Sequence, residues 1–210
     1  MREPLLHRLS LTTGAVLAAF FAFGVVASIG QGPNIDQRPL RDFAADVQAK
    51  IDRKEVDIRK PFSVEMAAVI TADGRLDRNA SIFTNTSGDP KMVKVAENAI
   101  EAMGDSGYFA YLQQAGISRA NLLITQNNAT FTGSVRASEN RFKAAMITSG
   151  VNAFISMGLS QQMDPDQRLV LQNTHATHDA GNIDIICTLP AADFQRMILN
   201  GRAATAGPSN

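Results

Sequence analysis

The chain reads as an α+β protein: one N-terminal transmembrane helix, then an antiparallel sheet of hairpins covered by helices in strand-strand-helix units. Three observations predict this. Residues 9–35 carry no formal charge, and residues 11–29 are almost wholly Leu, Val, Ala, Phe, Gly and Ile. Farther along, apolar residues alternate with period two on either side of turn residues, the mark of strands with one buried face. That strand-strand-helix rhythm then recurs until three units stand in series, a pattern that builds antiparallel sheet with helices on one face. The units share negligible sequence identity, so this is a rhythm and not a demonstrated repeat.

The first forty residues set the topology. At about 1.5 Å rise per residue, the run 11–29 comes close to the roughly 30 Å hydrocarbon core of a bilayer. The expected layout is a cytoplasmic head (residues 1–8), a transmembrane anchor (9–30) and a short linker (31–39) whose Gly32, Pro33 and Pro39 leave the body close to the membrane. A cleaved secretory signal is the rival reading, because the head is short and basic and the run ends in Val25, Val26, Ala27 and Ser28. Signal cores usually run about 7 to 15 residues, shorter than this one, which favours a retained anchor. Arg2 and Arg8 precede the span and Arg38 and Arg41 follow it, a weak bias. A domain of the size that follows is exported largely regardless of its charge, so the expected location is the inner (cytoplasmic) membrane, single-pass, with the C-terminal domain periplasmic.

Composition fits export. Cys187 is the only cysteine, so no disulfide can form within the chain, and its setting between Ile186 and Thr188 reads as a buried strand position. Without Arg2, Arg8 and Glu3 the balance is 18 basic to 19 acidic residues. That supplies no positive footprint for nucleic acid.

The elements follow in order. Leu40, Phe43, Ala44, Val47 and Ile51 give residues 40–51 helical spacing. Phe62, Val64, Met66, Ala68 and Ile70 form a strand with one buried face, Asp73-Gly74 makes the hairpin turn, and residues 76–84 return as its partner. Asp89 and Pro90 are helix-start residues in the expected order; Met92, Val95, Ala96, Ala99, Ile100 and Met103 line one face, and Gly104 closes the helix. A short helix with Tyr108, Phe109 and Leu112 stops at Gly116. Residues 122–125 and 129–137 form a second hairpin around Gln126-Asn127-Asn128. A helix from Ser138 through Leu159 follows, with Phe142, Ala145, Met146, Ser149, Ala153 and Met157 as its apolar stripe. The third unit is a strand at 168–174, a turn at 178–182, a strand at 183–189 and a helix at 190–199. The tail, 201–210, is expected to be disordered.

Chemistry is sparse. His175, His178, Asp179, Asp184 and Cys187 are the one cluster of metal-capable side chains, but an i, i+3 pair of histidines on a strand does not converge as an i, i+4 pair on a helix does. His7 lies at the membrane edge, away from them. Ser106 sits between Gly104-Asp105 and Gly107 without the strand-to-helix setting of a nucleophile elbow, so helix punctuation is expected there. Glu65, Asp73 and Asp77 do not read as paired carboxylates, since alternation turns Glu65 away from the face of Val64 and Met66. The expectation is no enzyme, no catalytic residue, no metal and no cofactor.

The strand from Phe62 to Ile70, the turn Asp73-Gly74-Arg75-Leu76, a second strand through Ile82 and the helix with Val95, Ala96, Ala99 and Ile100 resemble the C-terminal domain of the TonB and TolA energy-transducer family. The likeness covers about fifty residues and extends to the layout of one membrane helix ahead of an exported domain. It divides the body into a TonB-like unit with its leading helix (residues 40–116) and further units of the same body (117–200). The resemblance implies a protein partner bound by strand addition and work in energy transduction or transport. The chain departs from the family in lacking its long Pro-rich stalk, its Ser and His one turn apart in the anchor (here His7 precedes Ser10), and its aromatic and proline signature after the helix. The function expected is therefore a membrane-anchored protein-binding module; the alternatives are an anchored domain for a small ligand or lipid, given eight Met and eleven Phe, and a metal-dependent enzyme.

Overall fold

The computed structural model describes residues 35–205. The expected anchor at 9–30 and the head before it lie outside the described residues, and no described helix is long and apolar enough to cross a membrane. The described chain is α+β. In order it runs α1 (Gln37–Asp52), β1 (Phe62–Val69), β2 (Ile82–Gly88), α2 (Pro90–Asp105), α3 (Ala110–Gln114), β3 (Arg119–Gln126) and β4 (Thr130–Ser138). It continues with α4 (Arg141–Leu159), α5 (Pro165–Gln172), β5 (Thr174–Asp179), β6 (Asn182–Pro190) and α6 (Ala191–Thr205).

All six strands join one antiparallel sheet in the order β2-β1-β3-β4-β6-β5. The period of two sends alternate side chains to opposite faces, and register aligns them into rows. One row crosses the whole sheet through Phe83, Met66, Leu122, Val135, Ile185 and Ala176. All but half-buried Phe83 are buried beneath the helices. A row on the other face holds Ser87, Ser63, Thr125, Thr132 and Thr188, short hydroxyls suited to a face that no described element covers. The apolar stripe of α1 (Leu40, Phe43, Val47) and that of α2 dock side by side on this core. Asp36 and Asp89 cap the two helices by accepting from the backbone N–H groups of Arg38 and of Lys91 and Met92.

Five local expectations need correction. The second strand starts later than residue 76. Leu76 makes a single bridge to Ile70, Asp77 then accepts from the N–H groups of Asn79 and Ala80, and that turn delays β2 to Ile82. Gly104 does not end α2: it lies inside the helix, where an added Cβ would stand 2.6 Å from Leu76 Cγ, so packing selects the glycine. The strand expected at 168–174 is instead the helix α5. Asp164 caps it and Pro165 opens it, the same start signal as Asp89-Pro90 at α2.

The fourth correction concerns the rotation of α4. Phe142, Met146 and Met157, expected in the core, are 76%, 60% and 45% exposed, and Ser149 and Ala153 are exposed with them. The packed side carries Ala144, Thr148 and Gly158, with Ile147, Val151, Ile155 and Leu159 half-buried. No charged residue stands between Lys143 and Asp164, so the helix is apolar nearly all round and periodicity cannot choose a face. Finally, α6 continues to Thr205, so the first residues of the expected tail are helical.

Candidate functional site: an unequal pair of sheet edges

An open sheet has two edges, and each presents backbone N–H and C=O groups that its neighbour strand does not use. At β5 the middle of the edge is covered by α4. The bond from Thr188 N–H to Asn173 C=O (3.1 Å) sets the alternation of the ladder, so Asn173, His175 and Thr177 face β6 while Thr174, Ala176 and His178 face outward. Asn152, projecting from the middle of α4, meets both main-chain groups of Ala176, the central one of the three. Its amide nitrogen donates to Ala176 C=O at 2.8 Å, and its oxygen accepts from Ala176 N–H at 3.0 Å. One side-chain amide thus stands where the next strand would be. It also fixes the rotation of α4, and the sequence signal was available: a lone Asn between Val151 and Ala153 in an otherwise apolar stretch.

At β2 there is no such cover. The bond from Asp89 N–H to Pro61 C=O (2.9 Å) continues the β1–β2 ladder, so Ser87 and Asn85 bond inward while Thr86 and Gly88 turn their main-chain groups outward. Among the described residues nothing bonds to that outer side. The strand, Ile-Phe-Thr-Asn-Thr-Ser-Gly, has no charged side chain and no proline, two devices by which edges are usually blunted. It does carry an irregularity opposite Glu65 and Met66, where Thr84 is the extra residue and its hydroxyl reaches back to Glu65 C=O. Gly88 ends it with φ +97, and a Cβ there would lie 2.4 Å from Pro61 C=O.

Compared with known proteins, this chain matches no family model, no curated protein and no solved structure.

The metal-capable cluster of the sequence is dispersed. His175 and Thr177 project from the uncovered face of β5, while His178 shares the parity of the buried Thr174 and Ala176 and points to the other side. Among the described residues no group of three or more His, Cys, Asp or Glu side chains converges. Cys187 is 2% exposed on the helix-covered face, where burial pushes its thiol up, so it is held as a protonated core residue. Ser106 is the buried C-cap of α2, its hydroxyl donating to Met103 C=O at 2.7 Å. Asp73 is occupied in its turn, accepting from the Thr71 hydroxyl and pairing with Arg75 at 3.3 Å, and Glu65 stands on the uncovered face between Asn85 and Leu123.

Proposed function

We propose that this chain is a single-pass protein of the inner (cytoplasmic) membrane whose periplasmic α+β body binds another protein, taking an extended segment of it as a seventh strand beside β2. The observation that supports the reading is the contrast between the edges: Asn152 covers the middle of β5 at Ala176, and β2 is left with outward main-chain groups at Thr86 and Gly88 and, among the described residues, no helix bonded to them. In strand addition the main chain supplies affinity and alternate side chains supply specificity. Here Phe83 and Thr86 would meet the incoming strand on the helix-covered face, and Asn85 and Ser87 on the other. The resemblance of the first hairpin and helix to the TonB and TolA domains adds the class of work, energy transduction or transport across the envelope. The uncharged run at residues 9–35 supplies the anchor. No catalytic role is assigned to any residue.

A photo-reactive amino acid placed at Asn85 or Ser87 of the full chain in intact cells tests this. The expected result is one adduct of defined mass from both positions and none from Thr177 or His178. Thr86→Pro removes an outward N–H without touching a β1 ladder bond, so it should leave the circular dichroism spectrum in place and cut the adduct about tenfold or more. Adducts that ignore Thr86→Pro would refute the reading.

A further inference from the structure

Between α3 and α4, over the sheet, lies a partly open cavity of about 260 Å³. Leu112 and Tyr111 form one wall, Val151 and Phe154 the other, Ile185 contributes to the floor, and Gly150 lies on the α4 side. No charged side chain lines it. We infer that this cavity is a binding site for a neutral, largely apolar small molecule of about ten non-hydrogen atoms carrying at most one hydrogen-bonding group, independent of the β2 edge.

Size and charge carry the inference. An apolar cavity of about 150 Å³ holds benzene, so this one has room for about ten non-hydrogen atoms. An ion would surrender its hydration here without a counter-charge, which restricts the occupant to neutral compounds. Protein interiors are close-packed, and a gap of this size is easily reduced by one larger side chain. Gly150 is exposed at the border of the cavity, and a Cβ built there meets nothing within 4 Å, so only a longer side chain would reach in. Gln114 and Thr174 add polar groups to the lining. A ligand with a single N–H or O–H is matched to so few polar groups.

Indole, neutral, with roughly nine non-hydrogen atoms and one N–H, is a suitable probe for a cavity of this size. Its binding to the full chain in lipid nanodiscs is read by saturation-transfer difference NMR, with Gly150→Leu as the comparison. Leucine favours the helix while adding bulk beside the cavity, and Ala115→Phe adds bulk on the α3 side. The expected result is saturable, one-to-one binding below about 1 mM, weakened about tenfold or more in both variants, with the anionic indole-3-acetate failing to saturate. Partition into lipid is the same for every variant and is subtracted. Signal that does not saturate, or that is equal in the parent and in folded Gly150→Leu, would overturn the inference.

Discussion

Phe194→Ala is expected to lower the unfolding free energy by about 3–5 kcal/mol. Phe194 is 1% exposed, and its ring stacks on that of Phe131 with centroids 3.7 Å apart and planes 13° from parallel. Phe131 belongs to β4 and Phe194 to the first turn of α6, so the pair clamps the last helix onto the centre of the sheet. Val47 of α1 and Met92 and Val95 of α2 close around the same place, with Ile124 of β3 behind them. Truncation would therefore empty a volume on which four elements converge, and none of them can collapse into it without giving up its own contacts. Leu199, in the same helix but 44% exposed, is the internal comparison; Leu199→Ala should change stability by no more than about 0.5 kcal/mol. Urea titration followed by circular dichroism measures both.

Gly74→Ala is the second large effect, about 2–5 kcal/mol of destabilisation by the same titration. Gly74 has φ +79, the left-handed region that costs an L side chain about 1–2 kcal/mol. Its surroundings add to this: a Cβ would lie 2.2 Å from Ala110 N, backbone that cannot swing aside, at the start of α3. Gly74 C=O also accepts from Phe109 N–H at 3.1 Å, so the turn and the α2–α3 corner are one unit. By contrast, Gly150→Ala meets no neighbour and should be neutral or slightly stabilising, which separates the effect of close approach from a general intolerance of side chains at glycine.

Much of the fold was legible because local signals and burial agreed. The alternation from Phe62 to Ile70, Asp89-Pro90 ahead of an apolar stripe and the hairpin around Asn127 each meet one structural demand with one residue pattern. Legibility failed where two demands competed. Residues 168–174 hold the short apolar run Leu169-Val170-Leu171, which suits a strand or a helix alike, but Asp164-Pro165 upstream had already started a helix. In α4 an apolar surface nearly all round left rotation undetermined until Asn152 engaged Ala176, a contact 24 residues away that no local pattern encodes. The candidate site was less legible still. That β2 is an edge strand follows from sheet order, which the strand periodicity does not set. Its lack of charge is visible in the sequence but gains meaning only beside the covered edge at β5.

The most direct test of the unequal edges is amide hydrogen exchange, resolved residue by residue, on the full chain without a partner. The edge account requires an alternating pattern along β2. The Asn85 and Ser87 amides, in the β1 ladder, and the Ala176 amide, held by Asn152, should exchange at least about a hundredfold more slowly than those of Thr86 and Gly88. Uniform protection from Asn85 to Gly88 would mean that the outer side of β2 is already bonded, and would contradict the claim that it stands open for a partner strand.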